Sequence, residues 1–121
     1  MTNTLTNYQQ AARTLLDQGF EELAAGDTRQ ASEKGWGAAA QMLKAVAVTK
    51  GWEHQSHAAL YKVVNKIVAE TGDLSIRDRF FAANGLHQNF YENWGDNEYV
   101  LAGLQKVRKL IDRLEVLLET E

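Results

Sequence analysis

Apolar residues recur at three- and four-residue spacing along most of the chain. From about Thr4 to Ala25, the residues Leu5, Tyr8, Ala12, Leu15, Leu16 and Leu23 fall on one stripe, with Phe20 at its edge. That spacing is the mark of a helix with one buried face. A second helix begins at Asp27, with Gln30 three residues on as a capping box. Ala31, Gly35, Ala38, Met42 and Val46 then line one face, and the first three are small enough to let a neighbouring helix approach closely. A third helix starts at Ser56 and carries Leu60, Val64, Ile67 and Val68. A fourth starts near Asp73 or Ser75 and carries Ile76, Phe80, Ala83, His87 and Phe90. A fifth starts near Asp96 or Asn97 and carries Val100, Leu104, Val107, Ile111, Leu114 and Leu118. No run of alternating apolar and polar residues predicts a strand.

Proline is absent, so glycine punctuates the chain. Gly26, Gly51, Gly72 and Gly95 lie about a helix length apart, each followed within a few residues by Asp, Ser or Asn. A glycine after one helix and a small polar residue before the next is the expected stop-and-start pattern. The connections this leaves are short. The pattern predicts an all-α protein, an antiparallel bundle of four to five helices, forming a single domain over residues 1–121.

Composition narrows the function. Hydrophobic residues make up 45% of the chain and charged ones 24%, which is globular rather than disordered composition. Thirteen basic side chains against sixteen acidic ones leave a net charge of −3, so no basic footprint for duplex DNA exists. The absence of cysteine excludes disulfides, thiolate nucleophiles and zinc ribbons. The first ten residues hold no Lys or Arg and no apolar run, so no signal peptide is expected. The longest nearly apolar run, Gly35 to Val48, is interrupted by Gln41 and Lys44 and is too short to cross a bilayer. The expected setting is therefore the cytoplasm, away from membranes. No P-loop, dinucleotide fingerprint, serine elbow or His-Glu-x-x-His motif is present, and no cofactor is expected.

The fourth helix holds the most unusual chemistry. His87 sits on its apolar stripe, with Asn84, Gln88 and Tyr91 at i−3, i+1 and i+4. An imidazole beside a carboxamide and a phenol can hold or pass a proton near neutral pH; a buried histidine satisfied inside the bundle gives the same pattern. Both ring nitrogens need partners, and Glu33, Lys34 and His57 are the candidates from other helices. Gly85, inside the same helix, costs roughly 1 kcal/mol relative to Ala and so points to close packing or a kink. His54 and His57, three apart beside Glu53, could share a metal, but no third ligand lies near, and capping of the third helix accounts for them as well. Arg77 and Arg79 with Lys62 and Lys66 form at most a modest basic patch, and a mixed solvated face explains them equally. Phe80, Phe81, Phe90, Tyr91 and Trp94 spread around more than one face of the fourth helix, which predicts a homodimer.

The run from Gly26 to Ala39, the segment Trp52 to His57 and the block Leu86 to Glu92 resemble the HEPN superfamily, closest to its small archaeal proteins of the PaREP type. The resemblance spans about residues 8 to 115. It implies a helical bundle, often dimeric, whose active members are metal-independent ribonucleases and whose other members partner small nucleotidyltransferases or have no assigned activity. Their ribonuclease signature is an Arg, four to six residues, then a His on one helix. His87 matches the His. Phe80, Phe81 and Ala82 stand where the Arg belongs, and the nearest, Arg79, lies eight residues before His87. The resemblance therefore implies a binding module for nucleotide, RNA or a nucleotidyltransferase, with Glu33, Lys34, Trp36, His57, Asn84, Asn89 and Tyr91 as its binding residues. The alternative is an endoribonuclease using His87 with Arg79 or an Arg from a second subunit.

Overall fold

A computed structural model describes Thr2–Thr120; Met1 and Glu121 lie outside the described residues. Five helices follow one another: α1 (Thr2–Ala24), α2 (Thr28–Lys50), α3 (His57–Thr71), α4 (Ser75–Glu92) and α5 (Asn97–Glu119). There is no strand among the described residues. The helix starts follow the polar residues that the sequence marks. Asp27 accepts from the Gln30 N–H at 3.0 Å, Ser56 from the Ala59 N–H at 3.0 Å and Asp96 from the Tyr99 N–H at 2.9 Å. These side chains replace the hydrogen bonds that the first turn of a helix lacks. The capping box at α2 is only half formed, because the Asp27 N–H already donates to the Glu22 carbonyl. Before α4, Asp73 accepts from both the N–H and the hydroxyl of Ser75 and so turns the chain into the helix.

The stops follow glycine at Gly26, Gly51 and Gly72, all with positive φ. At α2 the Trp52 N–H reaches back to the Ala47 carbonyl and the Gly51 N–H to that of Val48, the paired closure that a left-handed residue permits. The fourth helix departs from the expectation. Its left-handed terminal residue is Asn93, with φ 54°, two residues before Gly95. Gly95 serves close approach instead: a Cβ there would stand 2.7 Å from the Tyr99 ring and 2.9 Å from Asn89 Oδ1.

The second helix is the hub, packed against all four others. Its small face permits this. Ala31, Ala38, Ala39, Ala45 and Ala47 are fully buried, and a Cβ on Gly35 would lie 2.7 Å from both Leu86 and Leu104. Leu86 of α4 also fills the space that a side chain on Gly103 of α5 would need, so one leucine is seated between two glycines. The remaining core comes from the expected stripes: Leu60, Val64 and Ile67, then Ile76 and Phe80, then Val100 to Leu114. Arg113 of α5 ties the α3–α4 connection down through Asp73 Oδ2 at 2.8 Å. Among the described residues the third helix packs on α2 and α4, and its first turn lies beside the edge where those two helices meet.

Candidate functional site

Along α2, residues 33, 36, 40 and 44 follow one another at helical spacing and face α3 and α4. Trp36 occupies the centre of this stripe. Its ring lies 4.8 Å from the His57 ring at an interplanar angle of 16°, a stacked pair. On α4, the His87 ring is 4.9 Å from Trp36 at 31° and 5.8 Å from His57. Phe80, about two helical turns earlier, backs the group at 6.0 Å from Trp36. Tyr91 closes it edge-on, 5.3 Å from His87, and is two-thirds exposed. Three helices thus bring Trp36, His57 and His87 into one aromatic group.

The polar contacts fix its orientation. His87 Nδ1 lies 3.1 Å from Glu33 Oε1, across the α2–α4 contact. An ionised carboxylate only accepts, so Nδ1 carries the hydrogen and donates it, and Nε2 is left as the nitrogen available to a ligand. His54 sits in the α2–α3 connection, its Nδ1 2.9 Å from the Trp52 carbonyl and its ring edge-on to Tyr8. A carbonyl also only accepts, so the same tautomer follows.

These groups line a shallow depression of about 270 Å³, walled by Trp36, Lys44, His54, Ser56, His57 and His87 among others. All three histidines of the chain face it together with a lysine, and no carboxylate stands among its lining residues. In a chain of net charge −3, that concentrates basic groups at one place. Among the described residues, no group of three His, Asp or Glu side chains is arranged to hold a metal ion.

The candidate residues from the sequence divide. Glu33, Trp36, His57, His87 and Tyr91 come together. Asn84 is half-buried, one turn before His87 on the same face of α4. Lys34 turns instead toward α1, its Cβ 3.6 Å from where a side chain on Gly19 would begin. Asn89 is fully buried on another face of α4: it donates to Ser32 Oγ at 2.8 Å and accepts from the Gly95 N–H at 2.6 Å. Both its polar ends are engaged in joining α2, α4 and the turn before α5. Arg79 lies about 12 Å along α4 from His87 and about 80° around it, so the structure does not bring it to the histidines. Of the basic patch, Arg77 is held by Asn65 Oδ1, while Lys62 and Lys66 border a different depression on α3. Lys44 enters the site unannounced: in the sequence it reads only as a break in an apolar run. Its spacing from Glu33, Trp36 and Ala40 was the available signal.

No helix among the described residues is long and apolar enough to cross a membrane. None of the curated proteins compared with the chain matches it. A crystal structure of a protein from Sulfolobus solfataricus shares the fold, with a TM-score of 0.78 at 23% identity over 89% of this chain and 96% of that one. The sequence model of the archaeal PaREP1/PaREP8 family matches residues 7–111, and the chain belongs to that family.

Proposed function

We propose that the chain is a HEPN-like binding module for a phosphate-bearing ribonucleotide ligand, seated in the depression of the three histidines. The observation that carries this reading is the lining itself: three imidazoles, Lys44 and the Trp36–His57 stack, with no carboxylate among them. A base is recognised by stacking on an aromatic face, worth about 1–3 kcal/mol per base. A phosphate is recognised by a lysine and an imidazole N–H, here Lys44 and His57, since the Nδ1 hydrogens of His54 and His87 are engaged by the Trp52 carbonyl and Glu33. The Arg of the ribonuclease signature is missing before His87, which favours binding over cleavage. Fluorescence anisotropy of a labelled single-stranded RNA tests the reading. Binding that weakens at least about tenfold in both Trp36→Ala and His57→Ala supports it. Undiminished binding in both variants overturns it.

A second reading, metal-independent RNA cleavage, is favoured by one observation. The rings of His57 and His87 lie 5.8 Å apart, and Glu33 engages only Nδ1 of His87. One imidazole can take the proton of an attacking hydroxyl while the other protonates the leaving oxygen. In this reading His57 takes the place that the sequence offered to Arg79. Cleavage that survives EDTA and is lost in His87→Ala supports it. Two further elements of the proposal rest on the resemblance and on exposed rings. A small nucleotidyltransferase is the expected protein partner, read by co-purification. Pairing of two copies through the exposed Phe81, Tyr91 and Trp94 is read by light scattering at micromolar concentration.

A further inference from the structure

A hollow of about 300 Å³ lies where three helices stop, and it shares no lining residue with the histidine depression. Lys50 is the last residue of α2 and Thr71 the last of α3, and Thr120 directly follows α5; all three line it. Its apolar floor is made of Val46 and Ile67, both buried, with Leu117 and Leu118 half-buried beside them.

The polar groups around that floor have one property in common. The Thr49 hydroxyl donates to the Val46 carbonyl at 2.7 Å, that of Thr71 to Ile67 at 2.8 Å and that of Thr120 to Leu117 at 3.0 Å. A hydroxyl has one hydrogen, so each of these oxygens can only accept from anything else. Thr71 Oγ1 already takes the Asp73 N–H at 3.1 Å, which leaves the acceptors of Thr49 and Thr120 facing the hollow.

Charge at this end leans one way. The C-terminal end of a helix carries about half a negative charge. Neither α3 nor α5 has a basic residue in its last turn, and each has a glutamate there, Glu70 and Glu119. Only α2 supplies a cation in its last turn, Lys50, whose ammonium pairs with Glu70 at 3.2 Å and lies 6.0 Å from the Trp52 ring centre. One lysine thus stands against three negative helix ends and two glutamates.

We infer that this hollow is a second ligand site, independent of the histidine depression, for a small aliphatic primary amine. The alkyl part covers the floor. The ammonium donates to the threonine oxygens and supplies the cation that the ends of α3 and α5 lack. Pockets for small molecules run about 300–1,000 Å³, so this one suits an amine of about six carbons and not a large cofactor. An alcohol of the same length gains the floor without the charge, and a carboxylate meets the charge with the opposite sign.

Hexylamine, hexanol and hexanoate at neutral pH test the inference, read by the methyl signals of Val46, Ile67, Leu117 and Leu118. The proteins are the wild type, Thr49→Trp and Glu70→Lys, each checked for retained helicity by circular dichroism. Both substitutions fall at exposed positions. Hexylamine is expected to shift these methyls saturably and to bind at least about threefold tighter than hexanol, with hexanoate weakest. Thr49→Trp fills the hollow and abolishes hexylamine binding. Glu70→Lys gives α3 its missing basic residue and removes the preference for the amine, with hexanol binding unchanged. Hexanol or hexanoate bound as tightly as hexylamine overturns the inference. So does undiminished hexylamine binding in Thr49→Trp, an amine preference that survives Glu70→Lys, or the absence of any saturable methyl shift up to the solubility of hexylamine. None of these outcomes bears on the histidine depression.

Discussion

Glu33 on α2 and His87 on α4 share one hydrogen bond, 3.1 Å from carboxylate oxygen to Nδ1, and through it two helices distant in sequence set the tautomer of one imidazole. The side chains are 35% and 26% exposed, so the pair is neither buried nor free in water. Its worth to stability is that of a partly exposed ion pair, at most about 1 kcal/mol. Its consequence for chemistry is larger, because it leaves Nε2 of His87 for a ligand.

His87→Asn separates the two roles. The melting temperature is expected to change little and single-stranded RNA affinity to fall at least about tenfold, since the ring packed on Trp36 and its Nε2 are lost. A purely structural histidine predicts the reverse: a loss on the order of 1–3 kcal/mol with binding intact. Thermal unfolding and anisotropy on the same preparation distinguish them.

Asn89 carries the opposite expectation. Asn89→Ala leaves the part-buried Gly95 N–H without its acceptor and takes from the buried Ser32 Oγ the hydrogen bond it accepts, while Ser32 still donates to the Thr28 carbonyl. Denaturant unfolding is expected to show a loss of about 1–3 kcal/mol, roughly that of one unsatisfied group. The protein that remains folded is expected to bind RNA as the wild type does. A stable variant with lost binding contradicts the placement of Asn89 in the framework.

Asp73 gives the fold a pH dependence of known sign. The hydrogen bonds from Ser75, then that from Arg113, hold its carboxyl below the ordinary aspartate range. The folded state therefore favours the ionised form. That contribution is fully present at neutral pH, above the unfolded-state value, and is lost as the pH falls through the lowered folded-state value. Denaturation curves of wild type and Asp73→Asn are expected to differ at neutral pH and to converge in strong acid. A difference that grows toward acid pH contradicts the assignment.

Most of the architecture is legible in the sequence because it rests on local chemistry. Leu60, Val64 and Ile67, or Val100 to Leu114, announce a buried stripe by spacing alone, and Asp27, Ser56 and Asp96 announce helix starts. The small face at Ala31, Gly35 and Ala38 foretells the close approach of α4 and α5. Gly85 likewise foretells tight packing: a Cβ there would collide with the Tyr99 hydroxyl, and burial raises the pKa of that phenol. The site is only half legible. Glu33 and Lys34 look equivalent in sequence, yet about 100° of rotation sends one to His87 and the other toward α1. The role of Asn89 depends on Ser32, far away in the chain, and on how the turn at Gly95 folds back. The meeting of His54 and His57 with His87 depends on where α3 docks on α2 and α4, which no periodicity within one helix encodes.

If the three-histidine depression is a ligand site, its rings are the most direct reporters of occupancy. The chain has three histidines, so a long-range proton–nitrogen spectrum gives one readily assigned set of signals per ring. Titration with a short single-stranded RNA is expected to shift the Nε2 and ring-proton signals of His57 and His87 saturably, with Trp36 indole signals moving at the same midpoint. Saturable RNA binding that leaves His57, His87 and Trp36 unmoved contradicts the claim, as does the absence of any shift at RNA concentrations up to the millimolar range.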